Sequence, residues 1–304
     1  MTPPARLLLA ALLLPLAASA SSPQLCERAP LHDAAHHARR LQLAAQLRHE
    51  LEAGGAAAAL VARSGVDLSR FGLRHSHAGV ALRANPVARW AVRQLYYACD
   101  ESRPRLFDQG LAGFLLAADE GPTAWVSVLL LPAAEAAALE AAALDARRAL
   151  PLLGARYSAN AHAYSVQYQN CNQWLAELLA AAWGGAGAGA SRERAQAWLR
   201  RSGYEPHRFE GHALLFALSG FVPLLHHDDH PEEDLQAARL RVSVPASIER
   251  FVLGRVPGAR RIELCQDERH IVVRRGGSPP GAGCEPAPGD EVLTFEPALS
   301  TTTP

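Results

Sequence analysis

The chain has 304 residues, 30 basic side chains against 30 acidic ones, and five cysteines. The balanced charge leaves no basic excess to attract nucleic acid. Every basic residue is arginine, so a Schiff-base lysine, a Ser–Lys dyad and a phosphate-loop lysine are all excluded.

The N-terminus reads as a secretory signal over residues 1–20. Arg6 precedes an apolar run from Leu7 to Ala17, and Ala18-Ser19-Ala20 supplies the small-x-small cleavage pattern. No cysteine follows the cleavage site directly, so no lipid anchor is expected. The mature chain should start near Ser21 and be exported to a bacterial periplasm or beyond. No later apolar stretch is long enough to span a bilayer. In an oxidising compartment an odd cysteine count leaves one thiol free or bridged to another molecule. Cys265 and Cys284 flank a strand-like stretch and a Gly/Pro turn and are candidates for a local pair. Cys26 and Cys99 are candidates for a second bridge, which would leave Cys171 free; other pairings stay open.

In chain order, His32 to Ala53 predicts a helix, with Leu43, Leu47 and Leu51 at four-residue spacing and Gly54-Gly55 as its stop. Gly72 to Arg83 alternates as a strand. A turn at Arg83-Ala84-Asn85-Pro86 and a returning strand from Trp90 to Ala98 make a hairpin. Phe107 to Ala117 is a third short element, and Trp125 to Leu131 a strand. Pro132 opens an alanine-rich helix to about Leu150. Cys171 to Trp183 predicts a helix with Cys171, Trp174, Leu175, Leu178 and Ala182 on one face. The glycine–alanine segment Gly184 to Ala190 follows a helix and lacks lysine, so it is a linker. Ser191 caps a helix running to Arg201. An apolar stretch from Leu214 to Leu225 precedes a polar run. Leu240 to Phe295 reads as two or three strands and a short helix near Ile248. With no repeat and no clear linker between domains, residues 21–297 are expected to form one α+β domain, and 298–304 a disordered tail.

The chemistry concentrates at two segments, Arg74-His75-Ser76-His77-Ala78-Gly79-Val80 and Tyr168-Gln169-Asn170-Cys171-Asn172-Gln173-Trp174. A thiol in a first helical turn meets free backbone N–H groups and partial positive charge, which favour thiolate. An imidazole on a strand could activate it and protonate a leaving group. Cys171 is therefore the candidate nucleophile and His77 the candidate base. His75 is the alternative base, on the same face of an alternating strand. Small Gly79 and Ala81 leave room for a close neighbour. With the turn centred near Pro86, Gln94 or Leu95 falls opposite His77 in the hairpin, and Gln94 is the candidate orienting residue, with His162 and Asp108 as more distant options. Gln169 and Gln173 are candidate oxyanion donors, and Asn170 serves equally as a cap. The alternative reading makes Cys171 a buried packing residue.

The run His226-His227-Asp228-Asp229-His230-Pro231-Glu232-Glu233-Asp234 offers His226, His227 and His230 as metal ligands. Its spacing matches no ligand pattern, and its plain reading is a solvated acidic loop. No other cofactor is expected.

At His75 to Val80 and Asn170 to Trp174 the chain resembles permuted papain-like cysteine hydrolases of the broad NlpC type, in which the histidine strand precedes the cysteine helix. The whole mature chain further resembles the bacterial family known as domain of unknown function 2145. That resemblance rests on Arg74 to Arg83, Phe107-Asp108-Gln109-Gly110, Tyr168 to Trp174, Asp228-Asp229-His230-Pro231 and Ser243-Val244-Pro245. It implies an α+β papain-like fold, with the cysteine helix packed on a small antiparallel sheet. It also implies thiol-dependent cleavage or transfer at an amide or ester, with Cys171 as nucleophile and His77 as base. The third polar residue departs from the pattern, because Gln94 stabilises an imidazolium less than a carboxylate would. Small molecules, peptides, peptidoglycan and lipid esters are the substrate classes of the expected compartment. Non-catalytic binding or envelope assembly is the competing function, and metal binding a third.

Overall fold

The computed structural model describes residues 33–116, 123–185, 187–211, 222, 224–277 and 283–295. The expected signal segment, Cys26, the C-terminal tail and most of the apolar stretch from Leu214 to Leu225 fall outside them.

The sheet grows from a strand that alternation does not reveal. β1 (Ala58–Arg63, AALVAR) is apolar on both sides, and all six residues are buried. Such a run suits a central strand covered on both faces. β1 pairs antiparallel with β2 (His77–Leu82) and with β5 (Ala124–Leu130). β2 forms the expected hairpin with β3 (Ala91–Ala98), which pairs in turn with β4 (Arg103–Gln109). On the other side β8 (Arg260–Gln266), β9 (His270–Arg275) and β10 (Glu291–Thr294) follow β5, all antiparallel. The sheet order is β10-β9-β8-β5-β1-β2-β3-β4. The α+β class therefore holds, but the expected small sheet is an eight-stranded one. A second sheet pairs β6 (His207–Glu210) with β7 (Arg239–Val242).

Helices cover both faces. α1 (Ala34–Gly54), capped by Asp33, and α2 (Leu111–Leu116) lie on one face. There Leu43, Leu47 and Leu51 pack with Val61, Ala81, Val92 and Phe114. The expected element at Phe107 to Ala117 is thus two, the end of β4 and α2. The opposite face carries α3 (Ala133–Leu144) and the single turn α4 (Ala146–Ala149). It also carries α5 (Cys171–Trp183), α6 (Arg192–Arg201) and α8 (Pro245–Arg255), with α7 (Glu232–Gln236) preceding β7. The alanine-rich helix stops early because the Asp145 side chain caps the next turn, accepting from the Arg147 N–H. Cys265 and Cys284 are joined, with Cα atoms 5.4 Å apart. Cys99 is also disulfide-bonded, while its expected partner Cys26 lies outside the described residues. No described helix is long and apolar enough to cross a membrane.

α5 is the buried axis of its layer. The Asn170 side chain accepts from the Gln173 N–H at 2.7 Å and starts the helix. Every residue from Cys171 to Ala181 is buried. That burial includes Glu177, fully enclosed, which pairs with Arg192 of α6 at 2.9 Å. Gln169 and Gln196 donate to the same carboxylate at 2.7 and 2.8 Å. Arg192 also donates to the carbonyls of Ser165, Val166 and Tyr168, pinning the loop that leads into α5. Removing one member leaves the other charge buried and uncompensated. Glu177→Leu should therefore cost about 3–5 kcal/mol in urea unfolding, and Glu177→Leu with Arg192→Met should recover most of it. A single-variant loss below about 1 kcal/mol would show that the pair does not lock α5 to α6.

Candidate active site around Cys171

Cys171 occupies the first turn of α5, where the sequence predicts it, and its thiol is free. It is only 9% exposed and packs in the same cluster as Ala78, Val80, Leu95, Tyr157 and Trp174. Burial pushes the thiol up to about 11. The Arg63 guanidinium and the backbone N–H groups of Asn172 and Cys171 oppose that rise. The first-turn effect anticipated from the sequence is present, then, and desolvation outweighs it.

His77 and Gln94 come together as the hairpin predicts. The His77 Nε2 lies 2.7 Å from Gln94 Oε1, and Gln94 Nε2 donates to Gln109 Oε1 at 2.7 Å. An amide oxygen only accepts, so this contact makes Nε2 the protonated nitrogen of a neutral ring. The ring packs against Tyr96 and Phe114, with centroids 4.8 and 6.1 Å away. Burial above all, and then the Arg63 cation, lower the His77 imidazole to about 3, while the Gln94 contact opposes them.

The two halves of the expected pair lie on opposite faces of the sheet. Ala78, Val80 and Leu82 of β2 face α5, while Ala81 packs with Val92 and Phe114 on the α1 and α2 side. His77 shares the face of Ala81 by period-two alternation. Among the described residues no hydrogen bond joins the sulfur to either imidazole. Gly79 is small for another reason than a helix end. A Cβ there would meet Val92 Cγ1 at 2.6 Å and the Arg93 carbonyl at 2.8 Å, so β3 demands the glycine.

The remaining candidates have structural partners. Gln169 Nε2 gives its protons to the Leu152 carbonyl and Glu177, and its Oε1 accepts from the Gly154 N–H. Gln173 Nε2 donates to the His162 and Ser165 carbonyls at 3.2 and 3.0 Å. Both amides are committed away from the sulfur, which corrects their assignment as oxyanion donors. Asn170 acts as the cap. Asp108 pairs with Arg93 at 2.5 Å, and His162 lies in a separate cluster. His75, the alternative base, does not share a strand with His77. It precedes β2 and stands 3.1 Å from Glu263 of β8.

Two residues near this site escape sequence reasoning. Glu263 is the carboxylate beside His75, and nothing local links positions so far apart in the chain. Arg63 closes β1, is 4% exposed, and has no carboxylate in ion-pair range among the described residues. Its guanidinium donates to Tyr96 Oη and the Ser64 carbonyl and lies 5.2 Å from the Phe114 ring centre. A charge at the end of an otherwise apolar central run was the available signal.

The acidic–histidine run is solvated only in part: Asp228, Glu232 and Glu233 are exposed, while His230 and Asp234 are buried. His226 stacks on Tyr168 with centroids 4.5 Å apart. Asp229 accepts from the His162 N–H at 2.9 Å, and His230 Nε2 lies 2.9 Å from the Asn160 carbonyl. Burial raises the Asp229 carboxyl to about 6. His226, His227 and His230 do not converge on one point. Among the described residues no group of three His, Cys, Asp or Glu could hold a metal ion. The run serves as a latch on the 158–168 loop, and the metal-ligand assignment is corrected accordingly.

A family described as an uncharacterized protein conserved in bacteria, domain of unknown function 2145, matches residues 50–252. No curated protein and no solved structure matches the chain.

The lowered His77 value has a consequence for stability. Its folded pKa of about 3 lies below the unfolded value of 6.5. The stability carried by the neutral ring is complete above pH 6.5 and is lost as pH falls from there toward 3. The slope is at most about 1.4 kcal/mol per pH unit. His77→Gln should flatten the urea-derived stability profile between pH 6.5 and 4 relative to the parent. Parallel profiles for the two proteins would mean that His77 is not held neutral by burial.

Proposed function

We propose, for a chain that belongs to the bacterial family domain of unknown function 2145, a non-catalytic role: an exported binding or envelope-assembly module in which Cys171 is a packing residue. The observation that carries this reading is the burial of Cys171 and His77 on opposite faces of one sheet. A thiolate–imidazolium pair needs the thiol pKa lowered and the imidazole poised near the working pH. Here burial moves the thiol up and the imidazole down. Export is supported by the signal-like N-terminus and by disulfide bonding at Cys99, Cys265 and Cys284.

The second reading is a papain-like, thiol-dependent hydrolase or acyltransferase acting on peptide, peptidoglycan or lipid substrates. It is favoured by the N–H groups of Cys171 and Asn172 at the sulfur and by the nearby Arg63 cation. In that reading Cys171 attacks an acyl carbon and His77 moves the proton, which requires the two side chains to approach past the end of the sheet.

Alkylation of the mature protein by iodoacetamide, with peptide mapping, separates the two. The packing reading expects Cys171 to react at least ~100-fold slower than a free thiol between pH 6 and 8. It expects His77→Ala to leave that rate unchanged unless the protein unfolds, and Cys171→Ala to cost about 1–2 kcal/mol of stability. Rapid labelling below pH 8 that disappears in His77→Ala would transfer the assignment to the hydrolase.

A further inference from the structure

Resting on the binding-module reading, we infer that the groove between α8 and the turn that follows α6 binds a small zwitterion of the free amino acid or short-peptide class. The groove is open to solvent and has a volume of about 430 Å³, within the range of small-molecule sites, and its lining includes Ser202, Glu205, Arg250, Phe251, Gly254 and Arg255. Its lining carries both signs of charge, on the exposed side chains of Glu205, Arg250 and Arg255. Among the described residues Arg250 and Glu205 form no hydrogen bond or ion pair with the protein or with each other, although they line the same groove. Arg255 lies over the Trp198 ring, 4.8 Å from its centre, which positions its guanidinium without neutralising it. A guanidinium fork matches a carboxylate in two parallel hydrogen bonds. The Glu205 carboxylate would repel a doubly charged phosphate and favour an ammonium. One wall is apolar, where Phe251 is packed edge-on against Trp198 and Tyr204.

Gly254 supplies a separate observation. It lies within α8, and a Cβ built there meets nothing within 4 Å. Glycine weakens a helix relative to alanine, and no packing in the protein requires it at this position. The side chain it lacks would border the groove.

The test is calorimetric titration of the mature chain with the dipeptide Ala-Ala. Saturable binding is expected, with at least ~10-fold weakening in Arg250→Gln and in Glu205→Gln, the scale of one lost charge-assisted hydrogen bond. N-acetyl-Ala-Ala, which lacks the ammonium, and Ala-Ala-amide, which lacks the carboxylate, should bind at least ~10-fold more weakly for the same reason. Gly254→Met should abolish binding without lowering the melting temperature, because methionine favours helix over glycine. All three positions line an open groove, and melting curves report whether each variant folds. The proposal is overturned if Ala-Ala shows no saturable binding, if the three variants bind like the parent, or if both blocked dipeptides bind as well as Ala-Ala. Cys171→Ala run alongside distinguishes a failure of the groove from a failure of the non-catalytic role. Conversion of Ala-Ala to alanine that depends on Cys171 would overturn the non-catalytic reading, while the groove is judged on the binding of its own variants.

Discussion

The site is governed by the alternation of β2 inside a sheet covered on both faces. Consecutive side chains of a strand point to opposite sides. Ala78, Val80 and Leu82 meet α5, so His77 and Ala81 face the layer of α1 and α2. The register with β1, in which Arg63 stands opposite His77, and with β3, in which Val80 stands opposite Arg93, allows no one-residue slip. Such a slip would move an apolar set from one core to the other. The separation of the thiol from the imidazole therefore follows from backbone pairing and not from a choice of rotamer.

Burial then decides the electrostatics. A first-turn cysteine with two N–H groups and a cation nearby has what normally favours thiolate, yet desolvation outweighs all three. The same balance keeps His77 neutral, and it lowers the pKa of Arg63, a cation enclosed without a carboxylate. The layer around α5 is held by charge as well as by apolar packing. Glu177 and Arg192 are paired and fully hydrogen-bonded, and Arg192 fixes the carbonyls of the loop that delivers Cys171. The latch of Asp229 and His230 on the 158–168 loop adds a second restraint on the same approach. A site restrained in this way is stiff, which fits a packing role for the thiol better than a reacting one.

What was legible in the sequence was local. The β2–β3 hairpin, the contact of His77 with Gln94, α5 from Cys171 to Trp183 and the Ser191 cap all follow from spacing and turn or capping residues. The bond between Cys265 and Cys284 likewise joins residues 19 apart. What escaped was set by distant neighbours. β1 carries no alternation because both its faces are covered, and without it the sheet looks small and its two faces cannot be told apart. The His/Asp run has the composition of a solvated loop, but Tyr168, His162 and Asn160, some 60 to 70 residues earlier, hold Asp228, Asp229 and His230 against the protein. Gln169 and Gln173 look like free amides beside a thiol until Glu177, Leu152 and Ser165 claim their protons.

The most direct test of this account is an NMR titration of the mature protein with ¹³Cβ-labelled cysteine and ¹⁵N-labelled histidine. The account predicts that Cys171 stays a thiol from pH 5 to 9 and that His77 stays a neutral Nε2–H tautomer over the same range. A thiolate signal for Cys171 below pH 7, appearing together with a protonated His77, would contradict it.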